Sequence, residues 1–95
     1  MIIKVELGGG LEAIFENKRD FDVELPGDKA TVRDLVEAMN GKFLKGNRDF
    51  FFVDGGLRAG ILVLVNDADW SLSGEEESPL EHKDKVSFIS TLHGG

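Results

Sequence analysis

The chain has 95 residues, 41% hydrophobic and 31% charged, with no cysteine, two histidines and a formal net charge of −7. That length and balance predict one folded, soluble domain with a single modest core. They exclude disulfides, a cysteine nucleophile, a thioester on the protein's own side chain and a histidine-rich metal site, and the acidic surface excludes direct binding to nucleic acid while favouring partners with basic surfaces.

Ile3, Val5 and Leu7 alternate with Lys4 and Glu6, the period of a half-buried strand over 1–7. Nothing in this stretch has the basic and then apolar pattern of a signal peptide. Gly8-Gly9-Gly10 permits a sharp reversal, because glycine takes positive φ without a Cβ clash. Leu11–Phe15 is expected to run back as the hairpin partner. After a turn at 16–19 the return strand resumes, with Phe21, Val23 and Leu25 alternating with Asp22 and Glu24, and Pro26-Gly27-Asp28 ends it.

Thr31 can cap a helix start, and the nearby acids suit its positive end. Val32, Leu35, Val36 and Met39 share one face at spacings of three and four, which predicts a helix over about 31–44. Phe43 continues the stripe if Gly41 does not stop the helix, and Gly46-Asn47 is the surer end. Phe50-Phe51-Phe52 reads as a short strand or as a loop pinned to the core, and the three rings cannot all be buried on one side. Asp54-Gly55-Gly56 is a turn.

Ile61–Val65 is the longest apolar run, far short of the roughly 20 residues of a membrane span. Its lack of polar alternation predicts a strand covered on both faces, or nearly so. A turn at 66–69 follows, with Trp70 and Leu72 as a short partner strand, an acidic loop over 73–79 and a buried Leu80. The last strand is expected over 85–92, with Val86 and Phe88 inward and Ser87 and Ile89 on the other face.

Hairpin, helix and further strands make an α+β architecture, in which one main helix covers one face of a mixed sheet. The first and last strands become parallel central neighbours, which is the β-grasp, ubiquitin-like arrangement. The chain then runs directly into Gly94-Gly95. The segments GILVLVNDADW at 60–70 and VSFISTLHGG at 86–95, with Gly8-Gly9-Gly10 and Leu25-Pro26-Gly27, resemble the eukaryotic ubiquitin-related modifier family. That family is regarded as closest to the bacterial sulfur carriers.

The resemblance implies a single domain over 1–95 with an exposed tail at about 92–95, working in the cytoplasm with nuclear presence allowed. It implies a protein that is not an enzyme, binds no cofactor or metal itself, and has no membrane partner. A ubiquitin-activating-type enzyme with a rhodanese-like domain would use ATP to adenylate the carboxylate of Gly95 and convert it to a thiocarboxylate. The sulfur would pass through a tRNA thiolase complex to the wobble uridine of certain tRNAs. The same activated terminus would be joined to lysines of target proteins, notably under oxidative stress. A role in feeding molybdopterin or thiamine synthesis fits the two C-terminal segments less well.

Chemistry supports the terminus independently. An α-carboxyl has a pKa of about 3.3–3.7 and is a poor electrophile when ionised, so it needs activation. Glycine at 94 and 95 removes both Cβ atoms from a carbon that must thread a narrow channel. Thr91, Leu92, His93 and Gly94 are candidate tail residues for partner binding. His93 reads as a contact for the activating enzyme in preference to an acid–base group, since nothing nearby in sequence forms a relay. Leu92 reads equally as a docking residue or as closing the core edge. Ile89, on the face away from Val86 and Phe88, is a candidate docking residue on an open apolar patch.

Asp54, Asp67 and Asp69 lack the ligand set of a calcium loop and read as turn residues. Trp70 reads as core or as a sheet-edge cover. The run Glu75-Glu76-Glu77 reads as a solvated loop. The alternative to a reactive terminus is a passive β-grasp interaction module with an inert tail.

Overall fold

The computed structural model describes residues 1–42, 51–53 and 56–91. Phe43, Gly46, Asn47, Phe50, Asp54, Gly55 and the expected tail 92–95 therefore lie outside the described residues.

Strand β1, Ile2–Gly8, follows the period-two pattern, burying Ile3, Val5 and Leu7. It pairs antiparallel with β2, Asp20–Glu24, with Ile3 opposite Val23 and Val5 opposite Phe21. The expected strand at Leu11–Phe15 is instead a 3-10 helix, entered through Gly10 at φ 98° and left through Glu16 at φ 61°. Leu11 and Phe15 are buried, Ile14 is half-buried and Ala13 is exposed, the spacing of a helical turn; a strand that buried Leu11 and Phe15 would turn Ala13 inward with them and Ile14 outward. Phe15 stacks on Phe21 at 6.0 Å.

Helix α1, Val32–Lys42, runs through Gly41, and positions 43 and 44 of the expected 31–44 lie outside the described residues. Its start is closed reciprocally. The Thr31 N–H donates to Asp34 Oδ2 at 2.9 Å, and the Asp34 N–H donates weakly to Thr31 Oγ1 at 3.4 Å. The Val32 N–H finds the carbonyl of the buried Ser78 at 3.1 Å. Val32, Leu35, Val36 and Met39 are all at most 1% exposed and form the face laid on the sheet.

Two short ladders flank the helix. Strand β3, Ala30–Thr31, pairs with β8, Pro79–Leu80, and β4, Phe52–Val53, pairs with β5, Gly56–Leu57. Phe51 is fully buried and Phe52 half-buried. Phe51 meets Phe15 edge-on at 5.2 Å and Phe88 at 5.5 Å, which joins the 3-10 turn to the last strand through the core.

Strand β6, Ile61–Val65, turns through Asn66 and Asp67, both left-handed at φ 51° and 68°, into β7, Ala68–Asp69. Such a two-residue reversal matches strand twist, and Asn and Asp tolerate it. The expected partner strand at Trp70 and Leu72 is a 3-10 helix, Trp70–Leu72, because the Asp69 carboxylate accepts the Ser71 N–H at 2.9 Å and caps it. Trp70 packs half-buried against the core, while Leu72 is 80% exposed. The glutamate run is a further 3-10 turn, Glu75–Glu77, and Arg33 of α1 pairs with Glu77 at 3.0 Å and Glu76 at 3.6 Å, so two of these acids bind the helix rather than water alone.

Strand β9, Lys85–Ser90, is shorter than the expected 85–92 and lies between β1, to which it is parallel, and β6, to which it is antiparallel. The main sheet runs β2-β1-β9-β6-β7. Val86 and Phe88 are fully buried toward α1, as the alternation predicts. The expectation that Ile61–Val65 is covered on both faces fails: Val63 is buried, but Leu62 is 38% exposed on the face that α1 leaves open.

Candidate functional site

Strand β9 ends in the middle of the sheet, one residue before the last described position, Thr91. Of the predicted site residues, Ile89 and Thr91 are placed; Leu92, His93, Gly94 and Gly95 lie outside the described residues. Thr91 is exposed, yet it is tied down. Its N–H donates to the Gly60 carbonyl at 2.9 Å, and its Oγ1 donates to the same oxygen. Gly60, at φ 92°, turns the chain into β6 so that this carbonyl faces Thr91.

On the other side of β9, Gly9 presses against Ser90. A Cβ on Gly9 would lie 2.1 Å from the Ser90 carbonyl oxygen, and the backbone there is left-handed at φ 68°. Only glycine meets both demands. Gly9 and Gly60 thus clamp Ser90 and Thr91 from opposite sides. In the sequence, Gly8-Gly9-Gly10 signals a reversal and, with the segment from Gly60, a family resemblance, but neither shows this close approach to the end of β9. A glycine just before the longest apolar strand was the available signal.

Next to this clamp, the open sheet face carries Ile89 in register with Leu62 on one side and Gly8 on the other, with Leu64 one step along. A Cβ on Gly8 would lie 3.5 Å from the Ile89 side chain, in ordinary van der Waals contact. Ile89 and Leu64 are half-buried and Leu62 more exposed, an apolar strip leading to the tail.

Charge surrounds the strip. Glu6 accepts from the Ser87 hydroxyl at 3.4 Å, and Lys85 lies 2.9 Å from Asp67 and 3.8 Å from Glu6. The hydrogen bond to Asp67, above the other contributions, raises the Lys85 pKa from its ordinary value. The Ser71 N–H holds the Asp69 carboxyl below its ordinary value. These partners explain Asp67 and Asp69 as turn and pairing residues, and no group of three or more His, Cys, Asp or Glu side chains converges as a metal site among the described residues. His82 accepts the Ile2 N–H at Nδ1, 2.9 Å, and serves the β1 terminus.

Parallel central strands, one helix across one face and a last strand that delivers the C-terminus from mid-sheet define a ubiquitin-like β-grasp protein. The chain belongs to the ubiquitin-related modifier (Urm1) family, whose model matches residues 2–95. It is 45% identical over 96 residues to the ubiquitin-related modifier 1 homolog of Dictyostelium discoideum, covering 100% of both chains. It is 42% identical over 97 residues to ubiquitin-related modifier 1 of Mus musculus, covering 100% of this chain and 96% of that one. The solution structure of Urm1 from Trypanosoma brucei superposes with a TM-score of 0.85 at 34% identity, covering 99% of this chain and 95% of that one. The protein is therefore a ubiquitin-like modifier, a class acted on by activating enzymes, and not a catalyst.

Proposed function

We propose that this chain is a modifier and sulfur carrier whose reacting atom is the carbonyl carbon of Gly95. The observation that carries the reading is the family match running through Gly95, on a fold whose last described residue, Thr91, leaves an anchored root at mid-sheet. An anchored root lets an activating enzyme grip the domain and receive the tail at a fixed point.

The carboxylate attacks the α-phosphate of ATP in the activating enzyme and releases pyrophosphate. The resulting acyl adenylate is electrophilic, and the terminal sulfur of a persulfide on a rhodanese-like domain displaces AMP. A second thiol of that enzyme attacks the enzyme-side sulfur of the acyl persulfide, which frees the thiocarboxylate and leaves a disulfide on the enzyme. Gly94 and Gly95 keep the path of these nucleophiles open, while His93, Leu92 and Thr91 supply contacts for the enzyme. The thiocarboxylate sulfur then serves a tRNA thiolase complex for 2-thiolation of the wobble uridine, which places the work in the cytoplasm, and the activated terminus also acylates lysines of target proteins.

The strip of Ile89, Leu62 and Leu64 is the surface by which the activating enzyme holds the domain, with a basic rim on the enzyme facing Glu6, Asp67 and Asp69. Incubation with ATP, the activating enzyme and a sulfur donor should add about 16 mass units, one sulfur for one oxygen, and deletion of Gly95 should abolish the gain. An unchanged mass with an enzyme that charges another modifier would overturn the reading.

A further inference from the structure

The sheet has a second unpartnered feature, far from the tail in strand order: β2 is its outer strand. The Leu7 N–H donates to the Arg19 carbonyl and the Leu25 N–H to the Met1 carbonyl, both at 2.8 Å, so the odd-numbered residues of this strand spend their backbone groups on β1. In an antiparallel ladder the alternate residues then point theirs outward. Asp20, Asp22 and Glu24 therefore present a row of N–H and C=O groups that meets no other strand among the described residues.

Their side chains project on the open face, where the facing groups are Ile2, Lys4 and Glu6 of β1 and, beside Asp22, His82 and Lys83. Just past the C-terminal end of β2 lies a groove of about 510 Å³ between the segment 25–30 and α1. Leu25, Pro26, Ala30 and Ala38 give it an apolar lining, and Asp34, Glu37 and Lys29 stand around it.

We infer that the outer edge of β2 is a docking site for an extended segment of another protein in which basic and apolar residues alternate, added as a further strand. Alternate side chains of an added strand fall on opposite faces. The basic ones meet the carboxylates of Asp20, Asp22 and Glu24, and the apolar ones enter the groove beside Leu25 and Ala38. A second copy of this chain is the wrong occupant, because pairing two β2 edges into one sheet sets these three carboxylates against their own counterparts.

The test is a titration of the isotope-labelled full chain with a short, end-blocked peptide of alternating lysine and valine, read by amide hydrogen exchange. The expected result is new protection at the Asp20, Asp22 and Glu24 amides, with little change at Phe21 and Val23, whose amides already face β1. Asp22→Asn removes charge and keeps the N–H, whereas Asp22→Pro also removes an N–H that the ladder does not use and an edge strand can lose. The proline variant should bind about fivefold more weakly than the asparagine variant, the loss of one backbone hydrogen bond. A peptide N-methylated at alternate residues gives the same comparison without altering the protein, since one of the two methylation registers must lose binding. No binding, binding without protection at these three amides, shifts confined to Glu75–Glu77 or to Leu62 and Ile89, or self-association through β2 would each overturn the inference.

Discussion

Replacing Gly9 by alanine tests the clamp on the tail root. Two penalties combine. The backbone at φ 68° costs an L-residue roughly 1–2 kcal/mol. The new Cβ would also sit 2.1 Å from the Ser90 oxygen, well inside van der Waals contact, and the obstacle is backbone of a central strand that cannot swing aside. Relief requires the loop and β9 to part by about 1 Å, which strains the ladder and brings the total to roughly 2–4 kcal/mol. Gly10 supplies the control. Its φ is 98°, but nothing lies within 4 Å of its added Cβ, so Gly10→Ala should cost only the backbone term. In urea unfolding, Gly9→Ala should therefore lose at least about 1 kcal/mol more than Gly10→Ala, or about 4–8 °C in Tm for a chain of this size. Amide exchange in Gly9→Ala should quicken at Thr91, whose N–H reports the other jaw of the clamp. Equal destabilisation of the two variants would refute the close-approach argument.

Phe51→Ala should cost about 3–5 kcal/mol by urea unfolding, since it removes the ring joining Phe15 to Phe88 in a fully buried site. Asp34→Ala opens the reciprocal cap of α1 and should cost about 0.5–2 kcal/mol by the same measurement. The Asp69 carboxyl is held below its ordinary value of 3.8 by the Ser71 N–H, so its contribution is complete above that pH and disappears as pH falls through the lowered value. Asp69→Asn should accordingly show a shallower loss of urea midpoint between pH about 5 and pH about 2 than the parent. Leu62→Asp should leave the melt within about 1 kcal/mol, because the residue is already partly open, while raising KM for the activating enzyme with little change in kcat.

Where one face was wet and the other dry, the sequence could be read. Ile3, Val5 and Leu7 declared their strand by alternation, and Val32, Leu35, Val36 and Met39 declared their helix by spacing. The parallel pairing of first and last strands followed from the order of elements. The short apolar stretches were illegible for a physical reason. Over Leu11–Phe15 both periods turn Leu11 and Phe15 to the same side, and only the folded core decides that Ile14 rather than Ala13 goes with them. Trp70–Leu72 became helical through one capping bond from Asp69, a local choice that apolar spacing does not encode. The strand Ile61–Val65 read as doubly covered because Leu62 and Leu64 are apolar although α1 leaves their face open, and apolar identity alone does not tell an open face from a covered one. The candidate site divided in the same way. Thr91 and Ile89 were named from sequence, but Gly9 and Gly60 act across the sheet, and their contacts exist only once β9 lies between them.

The central claim is that the Gly95 carboxyl is the atom group other proteins act upon, and the most direct measurement is the intact mass of the chain taken from cells with an active activating enzyme. A population heavier than the free acid by about 16 mass units, absent when that enzyme is removed, is the predicted result. A single species at the mass of the free carboxylate, together with unimpaired tRNA 2-thiolation in cells expressing only the Gly95-deleted chain, would contradict it.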